Sequence, residues 1–137
     1  MKTVFADSHY WIARVNPNDS WAKIAKAARA SLGEIFIVTT DEVLTEFLAA
    51  LSKSEHMRKQ AAKMVRAILE NPNVKVIPQT RESFLKGLAF YENRSDKEYS
   101  MTDCISTMNV MKAESLAEVL TNDRHFEQEG FTVLIKK

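Results

Sequence analysis

A chain of 137 residues with 45% hydrophobic side chains has room for one domain over residues 1–137 and a sizeable core, which excludes extended disorder. Its 19 basic and 18 acidic residues leave a net charge of +1, so bulk charge names no partner and any nucleic-acid surface must be a local patch. Cys104 is the only cysteine, which excludes an intrachain disulfide and a multi-cysteine zinc site; without a basic-then-apolar leader or a run near ~20 apolar residues, we expect a soluble cytoplasmic protein with no membrane partner.

The first apolar run, "TVFA" at 3–6, reads as a buried strand closed by Asp7, a charge that needs solvent or a compensating partner. "DSHYWI" then reads as a turn. Residues 19–32 carry Trp21, Ile24, Ala25, Ala28 and Leu32 at helical spacing, and Gly33 supplies a stop. A second strand, "IFIV" at 35–38, precedes a helix over 41–52 with Val43, Leu44, Phe47, Leu48 and Leu51 on one stripe. The next helix, 55–70, lines up Met57, Ala61, Met64, Val65, Ile68 and Leu69 and ends before Asn71-Pro72. "VKVI" at 74–77 is the third strand. Helices over 81–92 and 101–113 follow, separated by the polar "ENRSDKEYS". "AEVL" at 117–120 and "FTVLI" at 131–135 complete five strands. Alternating strands and helices predict an α/β domain with a central parallel sheet and helices on both faces. There is no repeat, and three prolines and three glycines leave no flexible linker.

In such sheets ligands bind beyond the carboxyl ends of the strands, where the strand order reverses. Asp7 follows strand 1, Asp123 follows strand 4 in "EVLTNDRHF", Asp103 opens the helix feeding strand 4, and Glu46 lies two turns into the helix after strand 2. Each has a plain alternative. Asp103 forms a capping-box pattern with Ser100, and Glu42 has the same relation to Thr39, where the cap is the preferred reading. Glu46 points about 140° away from its helix's apolar stripe, which reads as solvent. Asp7 and Asp123 fit helix N-caps. Convergence is what favours a site: crowded carboxylates repel unless a cation holds them, and hard oxygen donors suit Mg2+ or Mn2+. His9, His56 and His125 lack ligand spacing with one another or with Cys104. Such a metal orients and deprotonates water for attack on a phosphodiester.

Together "FADSHYWIA", "VLTEFLAAL", "SMTDCIS" and "LTNDRHFEQEGF" resemble the PIN-domain family, above all its VapC-like toxin ribonucleases of type II toxin–antitoxin systems. The resemblance runs over essentially the whole chain. It implies a three-layer α/β/α nuclease domain and a Mg2+- or Mn2+-dependent endoribonuclease. It makes Asp7 and Asp103 the principal metal ligands, with Glu46 and Asp123 completing the acidic cluster, the latter through water. Thr121 falls where the family often places a hydroxyl that orients the last acid or a bound water. A cognate antitoxin and a homodimer or higher oligomer are implied as partners beside the RNA substrate. Asp96 we read as a loop charge.

For phosphate contacts, Arg94, Lys97 and Arg124 lie beside the expected site and are preferred to Arg14, Lys23, Lys26 and Arg29, which read as solvated helix faces. His125 reads as packing beside Phe126 rather than as a general acid. Trp11 and Trp21 read as core, or as part of a groove for a partner helix. Two rival readings are a non-catalytic α/β binding module whose acids are caps and whose basic helices touch RNA or protein, and a phosphorylated receiver domain. The latter wants paired acids after strand 1, where "VFADS" offers one.

Overall fold

A computed structural model describes residues 1–137. Its centre is a five-stranded, all-parallel sheet in the order β3-β2-β1-β4-β5, formed by β1 (Lys2–Ala6), β2 (Ile35–Thr40), β3 (Val74–Ile77), β4 (Glu118–Leu120) and β5 (Thr132–Val133). The central position of β1 explains its composition: Val4, Phe5 and Ala6 are wholly buried, covered from both faces. Right-handed crossovers put the segments that join β1 to β2 and β2 to β3 on one face. Those that join β3 to β4 and β4 to β5 then fall on the other, giving the expected three layers. Large side chains such as Phe5, Phe47 and Leu120 fill the space between layers, each contributing about 2–3 kcal/mol by leaving water.

Most helices fall where periodicity places them: α2 (Ala22–Ser31), α3 (Asp41–Ala50), α4 (Glu55–Glu70) and α5 (Arg81–Asn93), with α1 (Ser8–Val15) preceding them and α6 (Met101–Ser106) following. Three differences have physical causes. The segment read as a turn after Asp7 is the helix α1, whose Ser8, Tyr10, Trp11 and Ala13 are buried. The helix expected from residue 19 starts later, because Asp19 first accepts the Trp21 amide in a local turn. The helix expected over 101–113 is α-helical only to Ser106 and then widens into a π-helical turn, Thr107–Lys112. There the Asn109 amide donates both to Ile105 O and to Ser83 O of α5, tying the two helices together. Leu48 and Leu69, placed on buried stripes, are exposed.

Helices α5 and α6 cross with Gly87 against Ile105, and a Cβ at residue 87 would lie 2.4 Å from Ile105 Cγ1. At the carboxyl rim the chain is fixed from both sides of β1. Thr39 Oγ1 donates to Ala6 O at 2.8 Å, and the Asp7 amide donates to Leu120 O at 3.1 Å. Strand order reverses here, between β1 and β4. Asp7 therefore stands at the switch point of the sheet.

Candidate metal centre

Asp7 leaves β1 with its side chain 2% exposed. Its Oδ2 accepts the Thr121 hydroxyl at 3.1 Å, while Oδ1 is buried with no hydrogen-bond partner. The cap reading fails for this residue, since the Asp7 side chain caps nothing in α1. A buried carboxylate oxygen without a donor is costly unless a cation completes it.

The other three acids arrive on separate elements. Asp123, just after β4, is half-buried, and its Oδ1 accepts the His125 amide at 2.9 Å, capping a 3-10 turn over Arg124–Glu129. Thr121 links the two sides: the hydroxyl that donates to Asp7 also accepts the Asp123 amide at 3.1 Å. Asp103 is nearly buried in the first turn of α6 and makes both bonds of the capping box with Ser100, at 3.0 and 3.2 Å. For Asp103 and Asp123, cap and site are the same geometry. Glu46 is half-buried rather than solvated, and its Oε1 accepts the Ser8 hydroxyl, joining α3 to α1. Glu42 departs from its expectation: Thr40, not Thr39, caps α3 through the Val43 amide, and burial raises the Glu42 carboxyl.

The electrostatics register the convergence. Burial, with Asp7 and Asp123 close by, pushes the Asp103 carboxyl from 3.8 up to about 7, against the pull of the Ser100 amide; Glu46 adds to the rise. His9, not singled out in the sequence, lies with Nδ1 3.6 Å from Asp7 Oδ2 and 3.3 Å from Thr121 Oγ1. The Asp7 carboxylate beside it raises its pKa against burial, and Asp123 and Glu46 add to that. His125 does not simply pack beside Phe126. Its Nδ1 is 3.2 Å from Asp123 Oδ1 and 3.8 Å from Asp103 Oδ2, and its ring leans on Tyr99. Donor atoms of Asp7, His9 and Asp123 lie within 4.8 Å of one another, as do those of Asp103, Asp123 and His125. The donor chemistry and the unpartnered Asp7 oxygen fit a divalent cation.

The basic residues divide. Arg94 is committed elsewhere than to phosphate: it forks onto Glu129 at 3.0 and 3.1 Å, where the Tyr99 hydroxyl also donates at 2.8 Å, and its guanidinium covers the Phe90 ring. The polar loop that sequence marks as a break is thus locked to the 3-10 turn. Lys97 lies 3.7 Å from Asp96, which is an exposed loop charge, and Arg124 is exposed beside Glu127 at 2.8 Å. Both stay on the surface.

The PIN domain family model matches residues 4–131. No curated protein sequence matches significantly. Among solved structures, the chain is similar to Mycobacterium tuberculosis VapC20, described as a sarcin-ricin loop cleaving toxin, with a TM-score of 0.83, 23% identity, and coverage of 94% of this chain and 96% of that one. It is similar to VapBC2 from Rickettsia felis, solved bound to a DNA fragment from its promoter, with a TM-score of 0.62, 12% identity and 96% of both chains covered. FitAcB from Neisseria gonorrhoeae gives a TM-score of 0.60 at 15% identity, again over 96% of each chain.

Proposed function

This chain belongs to the PIN-domain family, and from that premise we propose that it is a metal-dependent endoribonuclease acting as the toxin of a toxin–antitoxin pair. One observation carries the reading: the wholly buried run Val4–Ala6 delivers Asp7 to the switch point of the sheet with one carboxylate oxygen unpartnered, beside Asp123 and near enough to Asp103 to raise its carboxyl. Helix caps alone give no reason for four acids to meet there, which disfavours a non-catalytic binding module. The likeness to VapC20 supports a structured RNA as substrate, and the likeness to VapBC2 supports an antitoxin protein as partner.

A divalent cation held by Asp7 and Asp103, with Asp123 and Glu46 around it, would acidify a water and neutralise phosphate charge during in-line attack. The chain's own residues prepare that chemistry. The Thr121 hydroxyl orients Asp7 and fixes the Asp123 backbone together, so the two acids hold one relative geometry. The Ser8 hydroxyl fixes Glu46. The Ser100 amide favours the charged form of Asp103, which neighbouring acids oppose. Lys97 and Arg124, exposed although each lies beside an acid, are the cations placed to approach the RNA backbone.

Labelled hairpin and single-stranded RNAs incubated with pure protein in Mg2+, Mn2+ or EDTA, beside an Asp7→Asn variant, test this reading. We expect metal-dependent internal cuts that fall at least about 100-fold in the variant, beyond what loss of an outer partner costs. Bound but uncut RNA under every condition, with the protein folded, would support the binding-module reading instead.

A further inference from the structure

Carboxylates are only part of what meets at this rim. His9 and His125 each follow a cluster acid by two residues and turn a ring nitrogen towards it. The His125 Nδ1 is buried and makes no hydrogen bond, although Asp123 Oδ1 is 3.2 Å away and Asp103 Oδ2 3.8 Å. The His9 Nδ1 is 3.6 Å from Asp7 Oδ2, on a side chain 44% exposed, so its ring borders both the acids and the solvent from which a cation enters. Each ring closes a compact three-residue group, and Asp123 is common to both. Asp7 Oδ1, buried and unpartnered, independently marks the spot as one built for a cation.

We propose that His9 and His125 are nitrogen ligands of the metal centre and that this mixed donor set selects Mn2+ over Mg2+. The proposal rests on the metal-dependent reading above and deepens it. Mg2+ keeps its waters and takes oxygen ligands; Mn2+ also favours carboxylate and water, but as the first member of the transition series that binds nitrogen donors it accepts an imidazole far more readily than Mg2+ does. An all-oxygen rim would hold either ion through carboxylates and leave the choice to supply. Two imidazoles within reach add donors that only one of the two ions uses well. If the histidines were merely counter-charges for the acids, a bound cation would displace them and nitrogen would be absent from its ligands.

The test loads the full-length protein with Mn2+ and looks for 14N coupling by pulsed EPR, in the wild type and in His9→Asn, His125→Asn and double variants. Calorimetric titrations with Mn2+ alone and Mg2+ alone accompany it. We expect nitrogen coupling in the wild type, weakened in each single variant and lost in the double one. Mn2+ affinity should drop at least about 100-fold in the double variant, beyond what loss of outer partners costs, with Mg2+ affinity nearly unchanged. Tight Mn2+ binding with no nitrogen coupling, abolished by Asp7→Asn, would overturn the proposal while leaving the carboxylate centre intact. So would equal losses for both ions. If the wild type binds neither ion, the proposal and the metal-dependent reading both fall. Should a histidine variant misfold, the wild-type spectrum alone decides.

Discussion

Asp103 offers a direct measure of how much the acid cluster costs the fold. Its carboxyl is raised from 3.8 to about 7, chiefly by burial and then by Asp7 and Asp123. The folded state therefore binds this proton more tightly than the unfolded chain, and stability falls as pH climbs from the lower value through the higher one. At about 1.4 kcal/mol for each tenfold change in proton affinity, the full effect is roughly 4 kcal/mol, and sharing of protons among neighbouring acids brings the expectation to about 2–4 kcal/mol. Asp103→Asn removes the charge but retains an oxygen able to accept the Ser100 amide, so the cap of α6 survives. Urea unfolding of metal-free wild type and variant, in EDTA from pH 3.5 to 8.5, reads the difference. The variant should match the wild type at the acid end, gain steadily between pH 4 and 7, and level off above. It should also lose cleavage. Saturating Mn2+ should narrow or reverse the gap, because binding at 100 times Kd adds about 2.7 kcal/mol to the wild type alone. A variant no more stable at pH 8, or one whose advantage is flat with pH, would refute the crowding argument.

Other consequences can be checked alongside. Thr121→Val deletes the hydroxyl that joins Asp7 to Asp123; Mn2+ affinity measured by calorimetry should weaken about 10- to 100-fold with little change in far-UV circular dichroism. Gly87→Ala places a methyl against Ile105 at the α5–α6 crossing and should cost about 1–3 kcal/mol in denaturant unfolding, despite alanine's better helix propensity. The Arg94 guanidinium, then burial in opposition and the Tyr99 hydroxyl, leave the Glu129 carboxyl below its usual 4.5; the stability this gives is present above that value and lost as pH falls through the folded one. Glu129→Gln should therefore lower the melting temperature at pH 7, with the gap to wild type closing in acid.

How far the sequence reveals this molecule depends on which residues carry the signal. The sheet was legible because its strands are short and nearly apolar, and Asp7 was legible because a charge there contradicts the run before it. Asp103 and Asp123 were ambiguous for a physical reason: each caps a helical turn and faces the site at once, so the cap pattern is true and uninformative. Glu46 misled the helical wheel because a direction away from the core stripe includes the crevice at the rim as well as water. The histidines escaped because ligand spacing is sought along the chain. His125 meets Asp103 of α6 from the 3-10 turn after β4, and His9 meets Thr121 across 112 residues. Arg94 read as a free cation, and nothing in its neighbourhood along the chain announces Glu129, which lies 35 residues on. The π-helical turn has no pattern of its own, and the Asn109 side chain within it meets Ser83 in another helix, a contact that spacing along the chain does not announce.

The pairing of β1 with β4 also governs when the acid cluster comes together. Asp7 enters the growing chain early, but the carbonyl that fixes its amide belongs to Leu120, and the hydroxyl that orients its carboxylate comes 114 residues later. Until that stretch has left the ribosome, the central strand lacks one neighbour and the acids lack each other. The candidate metal centre therefore assembles late, once the last strands have emerged and joined the sheet.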